Sequence, residues 1–154
     1  MSSLVDSLYQ VKYNPFKYGE YLVSFYTQLV GVENNLLLSQ LVIPLCSHPT
    51  LSNKLQNTVF GKKRTSTIWT VFSDQNNLYD LQERIDVFKE LADQSLQYCL
   101  INDWLEIDPE KLSVSVLKKS AEQINNYKSA LKLGKIFSNL SVIEIYALLG
   151  VSPR

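Results

Sequence analysis

LYDLQERIDVFKELADQSLQYCLINDWLEIDPEKLSVSV, residues 78–116, changes its period partway along, and that change sets the fold class. Leu78, Leu81, Ile85, Phe88, Leu91, Ala92, Leu96, Cys99 and Leu100 recur every three to four residues, the register of a helix with one buried face. After Asp103 the pattern alternates: Leu112, Val114 and Val116 against Ser113 and Ser115, with WLEI on the other side of a proline-containing turn. The reading is a long helix followed by a short antiparallel hairpin, with strands at about 104–107 and about 112–116.

Working outward, the flanking segments also read as helices. Asn14 before Pro15 is a strong helix start, because the Asn side chain caps free amides and proline is preset for the first helical position. Phe16, Leu22, Phe25, Tyr26 and Leu29 then carry a helix over about 15–30, with Gly31 suited to a left-handed stop. A second, nearly all-apolar helix begins near Asn34 or Asn35 and should be kinked or ended by Pro44. A short helix is expected at about 50–57 and another from Thr65 or Ser66, burying Ile68, Trp69, Val71 and Phe72. A last pair is expected at about 117–138 and about 141–149, with Ser141 as the cap between them. The fold class is mostly α, a helical domain with one short β-hairpin, and the order of elements is compatible with a winged-helix-like domain. Residues 1–13 read as an N-terminal arm and 14–154 as one helical domain, a length and a 45% hydrophobic content that suit one continuous core.

Composition excludes several classes. With 15 basic and 15 acidic residues the net charge is +0, so no global field draws the chain to nucleic acid or an anionic membrane, and any such contact must be local. Cys46 and Cys99 are far apart and fit a reducing, cytoplasmic setting better than a disulfide scaffold. The opening MSSLVDSLYQVKYNPF carries Asp6 and no long apolar run, so no secretory signal is expected. LLLSQLVIPLC, broken by Ser39, Gln40 and Pro44, is too short to span a bilayer, and no membrane contact is expected.

Catalytic and metal-binding patterns are missing from the sequence. His48 is the one histidine, with only Cys46 of ligand type beside it, and reads as a turn residue before Pro49. No Gly-rich phosphate loop or nucleophile motif occurs. Glu83 with Asp86, and Glu106, Asp108 and Glu110 around the hairpin turn, read as solvated faces and turn formers. No cofactor, metal or catalytic residue is assigned, and the chain is expected not to be an enzyme.

Two basic clusters remain as DNA-contact candidates. Lys62, Lys63 and Arg64 stand in a loop before a helix start, where phosphate oxygens can meet cations and free amides. Lys128, Lys132 and Lys135 share one helical face by their spacing. Aromatics are the other resource: Tyr9, Tyr13, Phe16, Tyr18 and Tyr21 crowd the N-terminal region, in a residue class that anchors interfaces as readily as cores.

Taken in order, YNPFKYGEYLVSFY, LVIPLCSHPTL, LQERIDVFKELADQSLQYCLINDWLEI with Arg84, and the ending LGKIFSNLSVIEIYALLGVSPR resemble the small middle component of bacterial three-component ABC conflict systems, of which the Lamassu-type anti-phage and anti-plasmid systems are members. The resemblance covers about residues 13–154 and rests on Asn14-Pro15, Pro44, Arg84, Leu133-Gly134-Lys135, and Tyr146 with Leu149-Gly150-Val151. A bulky aromatic is expected just after the Gly-Lys step, where Ile136 precedes Phe137 here. The resemblance implies a non-enzymatic adaptor beside an SMC-like ABC ATPase and an effector, often a nuclease, with double-stranded DNA reached through the complex. It offers Tyr9, Tyr13, Phe16, Tyr18, Tyr146, Val151 and Pro153 as partner-interface candidates, the C-terminal helix being docked on its own domain or on the ATPase. The rival readings are a stand-alone winged-helix DNA-binding regulator, against which the balanced charge argues, and a small enzyme, against which the residue inventory argues.

Overall fold

Helix starts in this chain are set by local hydrogen bonds that the sequence announces. The computed structural model describes residues 3–117 and 124–154. Its first helix, α1 (Leu4–Lys12), lies within the expected N-terminal arm: Ser3 Oγ accepts from the Asp6 amide and the Asp6 carboxylate accepts from the Ser3 amide, a reciprocal cap. α2 (Pro15–Gln28) starts as expected, with Asn14 Oδ1 accepting from the Lys17 amide at 2.8 Å.

A 3₁₀ turn at Asn35–Leu38 leads into α3 (Ser39–Cys46), which Pro44 does not end. Residues 41–46 are all buried, and their packing holds the helix through the bond that proline cannot donate. Arg84 supplies a second restraint from across the core. Its Nε and Nη2 donate to the Pro44 carbonyl at 3.2 and 3.1 Å, Nη2 also donates to Ser47 Oγ at 2.8 Å, and the guanidinium lies 5.4 Å from the Phe88 ring. The orphan carbonyls at the end of α3 thereby meet a cation, which the helix dipole favours.

α4 (Pro49–Gln56) is capped by His48, whose Nδ1 accepts from the Thr50 and Leu51 amides, each at 3.2 Å. Accepting requires the neutral ring, and burial, then the Arg84 charge, lower the His48 pKa below its ordinary 6.5. The unfolded chain therefore takes up this proton first as pH falls. The stabilisation is complete above the ordinary histidine value and is lost as pH drops through the lower folded value. His48→Asn, a cap that does not titrate there, is expected to shrink the fall in melting temperature between about pH 7 and about pH 5. An undiminished fall would remove His48 protonation from the account.

α5 (Ile68–Val71) is a single turn capped by Thr67. It starts later than expected because Ser66 and Thr65 close the preceding loop: the Ser66 amide donates to the Val59 carbonyl at 2.6 Å, and Phe60 bridges Thr65. Ile68, Val71 and Phe72 are buried, but Trp69 is 66% exposed, since one turn cannot turn all four inward. A 3₁₀ turn at Gln75–Asn77 precedes α6 (Leu81–Ile101), which buries Leu81, Ile85, Phe88, Ala92 and Cys99 in the expected register.

β1 (Leu105–Asp108) and β2 (Ser113–Val116) pair antiparallel, Leu105 facing Val116 and Ile107 facing Val114. Asp108 Oδ1 accepts from the Glu110 and Lys111 amides at 3.0 and 3.3 Å, which turns the chain at Pro109. Leu112, expected on the inward side, sits in that turn at φ 49 and is exposed. The expected helix at about 117–138 is shorter: Leu117 and residues 124–127 are not helical, 118–123 lie outside the described residues, and α7 spans Lys128–Phe137. α8 (Val142–Leu149) follows from a Ser141–Glu144 capping box, and Gly150 closes it at φ 70, a conformation that suits glycine.

α2 lies between α6 and α7, and a glycine permits each approach. A Cβ on Gly19 would stand 3.2 Å from Cys99 Sγ, and one on Gly134 would run into the Phe25 carbonyl oxygen. The main core gathers side chains from α2 to α8 and the hairpin, while Tyr18, Ile43, Phe88 and Ala92 form a smaller cluster. Cys46 and Cys99 are buried and unbonded to each other, and burial pushes both thiols up to about 12.

The last residues are strapped across α3 and α6. The Gln82 side-chain amide both donates to the Ser152 carbonyl at 3.2 Å and accepts from the Ser152 amide at 2.8 Å. Gln40 does the same for Arg154 at 2.8 and 2.7 Å, and Arg154 Nε reaches Asp86 at 2.9 Å. Among the described residues, no helix is long and apolar enough to cross a membrane.

Candidate functional site

Two segments devoid of carboxylates meet on one face. Residues 34–73 contain no Asp or Glu but carry Lys54, Lys62, Lys63 and Arg64, and residues 123–143 contain none but carry Lys128, Lys132 and Lys135. Phe60 joins them. The Lys132 ammonium lies 5.3 Å and the Lys135 ammonium 5.4 Å from its ring centroid, and Lys132 Nζ also donates to the Thr58 carbonyl at 2.9 Å. The chain from Thr58 to Phe60 thus runs along the α7 lysines and then turns, with the Gly61 amide donating to the Arg64 carbonyl at 2.9 Å. Lys62, Lys63 and Arg64 are exposed on that turn.

The electrostatic consequence falls on Lys132. Desolvation first, then the Lys135 and Lys128 charges, lower its pKa below the ordinary lysine value. Among the described residues the two ion pairs are Lys89–Asp93 and Arg154–Asp86, and neither involves this face. An anion here would meet cations that form no ion pair among the described residues. Most carboxylates lie elsewhere, with Glu83, Asp86, Glu90 and Asp93 on α6 and Glu106, Asp108 and Glu110 at the hairpin, but Glu20 of α2 accepts from the Asn125 amide just before α7. A net charge of zero therefore conceals a polarised molecule.

The aromatic candidates separate into three groups. Tyr18 is buried, and burial raises its pKa; it belongs to the core and is corrected as an interface residue. Tyr146 is corrected likewise: it is buried, and its hydroxyl donates to the Leu37 carbonyl. Val151 packs against the core and is no free contact, whereas Pro153 is exposed on the strapped tail. Tyr13 is half-buried, its ring 4.7 Å from Tyr9, 6.1 Å from Tyr18 and 5.3 Å from Phe88. It caps the C-terminal end of α1 and packs that end against the smaller core cluster. Phe16 is 58% exposed and meets Tyr98 edge-on at 4.7 Å.

Sequence reasoning reached the most conspicuous surface only through Tyr9, which lies on α1 and is 49% exposed. α1 buries none of its residues, and Leu4, Val5, Leu8 and Val11 are 75%, 74%, 60% and 73% exposed. Leu4, Leu8 and Val11 fall on one helical face by their spacing. The Ser3-x-x-Asp6 capping box was the signal available in the sequence. Among the described residues, no group of three or more His, Cys, Asp or Glu could hold a metal ion.

A protein-family model described as ABC-three component (ABC-3C) system Middle Component 3 matches residues 2–153. No curated protein and no solved structure matches the chain.

Proposed function

The chain belongs to the Middle Component 3 family of ABC-three component systems, and from that premise we propose that it is a non-catalytic adaptor joining an SMC-like ABC ATPase to an effector, a nuclease by preference, in a Lamassu-type anti-phage or anti-plasmid complex of the cytoplasm. A middle component has partner subunits, and α1 is the observation that carries the adaptor reading. A capped helix that buries none of its residues and exposes Leu4, Val5, Leu8 and Val11 presents an apolar patch of the kind that marks an interaction site. Docked against a partner it removes those side chains from water, at about 1.5–3 kcal/mol for each one fully buried.

The face around Phe60 supports the second part of the reading, contact with the DNA that the complex senses. Cations without carboxylates suit the phosphate backbone and carry no base sequence information. Docking by α1 and backbone contact by the basic face use different residues, so one subunit can do both. The test is co-purification of the chain with the products of its neighbouring genes, comparing it with Leu4→Asp, Leu8→Asp. A lone dimer that binds DNA tightly without partners would favour the stand-alone winged-helix regulator instead.

A further inference from the structure

An open cleft of about 560 Å³ lies between α4 and the loop that carries the basic turn. One wall is a polar face of α4 and its C-cap, since Thr50, Asn53, Lys54 and the capping Asn57 follow the helical spacing, and the other wall carries Arg64. Among the described residues, none of those four side chains makes a hydrogen bond and neither Lys54 nor Arg64 has an ion-pair partner. The lining comes wholly from residues 49–71, a stretch without a single carboxylate. Two cations, two amides and a hydroxyl thus line one open space, largely exposed and without a protein partner.

We infer that this cleft binds a phosphate monoester, presented by a mononucleotide or by the terminal phosphate of a nucleic-acid strand. A monoester carries nearly two negative charges at neutral pH and three strong acceptor oxygens. Lys54 and Arg64 match the charge from opposite walls, Arg64 with a planar fork suited to two oxygens, while Thr50 and the Asn53 and Asn57 amides donate to what remains. A backbone diester carries only one charge, for which the basic face around Phe60 already offers cations. The cleft volume falls within the range of small-ligand sites, so a nucleoside attached to the phosphate also has room.

The assignment goes beyond the adaptor reading and is tested separately from it. The full chain is titrated with AMP, with adenosine, and with one oligonucleotide carrying either a 5′-phosphate or a 5′-hydroxyl. AMP is expected to bind at least about tenfold more tightly than adenosine, or the 5′-phosphate strand at least about tenfold more tightly than its hydroxyl form; which pair discriminates identifies the source of the phosphate. Lys54→Gln with Arg64→Gln should abolish that preference, and so should Asn57→Asp, which places a carboxylate in the cleft at constant size. Lys62→Gln, Lys63→Gln, Lys128→Gln, Lys135→Gln should weaken all strands alike and leave the preference intact. Absence of any preference for the phosphorylated form, or a preference that survives both cleft variants, overturns the inference.

Discussion

Gly134→Ala is expected to lower the melting temperature by several degrees, although alanine is the better helix former by up to about 1 kcal/mol. The opposing effect is steric. A Cβ at Gly134 would enter the van der Waals shell of the Phe25 carbonyl oxygen and sit 3.2 Å from Gln28 Cβ and 3.3 Å from the Leu29 amide nitrogen, so two of its three neighbours are backbone atoms that no rotamer change can move. The α2–α7 pair must separate to admit it, and overpacking of this kind costs about 1–3 kcal/mol. At this chain length each kcal/mol corresponds to a shift of about 2–4 °C. Gly61→Ala is the control, since its Cβ would find only ordinary contact 3.5 Å from the Arg64 carbonyl oxygen. Thermal unfolding followed by circular dichroism decides the matter. A Gly134→Ala protein as stable as the parent would mean that α2 and α7 do not approach as closely as described.

The largest effect on binding is expected from the basic face. Lys62→Gln, Lys63→Gln, Lys128→Gln, Lys135→Gln removes four cations that have no carboxylate partner among the described residues. If each neutralises one phosphate, the slope of log affinity against log salt becomes shallower by about 0.9 per site, and affinity at about 0.1 M salt falls by about three to four orders of magnitude. Lys132 is left in place because it also holds the Thr58 carbonyl, so its loss would confuse binding with folding. The readout is fluorescence anisotropy of duplex DNA with the assembled complex at several salt concentrations. An unchanged slope would place the DNA contact on another subunit.

Periodicity was sufficient for α6, the hairpin and α8, because each buries one face and its neighbours leave the register undisturbed. It failed at α1, which buries nothing and so has no core-facing stripe to detect; only the Ser3–Asp6 cap marks it. It also failed at Trp69, where apolar character suggested burial but a one-turn helix leaves the ring outside. At Pro44 the ending, one of the two outcomes that local rules allow, does not occur, because tertiary packing and the Arg84 contacts hold the helix to Cys46.

The candidate site was legible in its parts and illegible as a whole. Lys62–Arg64 and the α7 lysines stand out by spacing, but nothing local says that Phe60 lies beneath Lys132 and Lys135. The clue was compositional, an acid-free stretch of residues 34–73 and another at 123–143 in a chain of balanced charge. The family elements also acquire physical reasons: Asn14-Pro15 starts α2, Arg84 bonds the end of α3, Gly134 admits α2, and Tyr146 ties α8 to the Leu37 carbonyl. The C-terminal segment serves its own fold, as the paired Gln82 and Gln40 bonds to the tail require.

The most direct test of the adaptor account is co-purification of the Leu4→Asp, Leu8→Asp variant with the products of the neighbouring genes, with the isolated chain melted alongside. Both side chains are exposed, so the melting temperature of the isolated chain should stay within about 2 °C of the parent, in keeping with surface substitutions of about ±0.5 kcal/mol. The account predicts that the parent chain recovers the ABC ATPase and that the variant, equally folded, loses it. Full recovery of the ATPase by the folded variant would contradict the account and remove α1 from the interface.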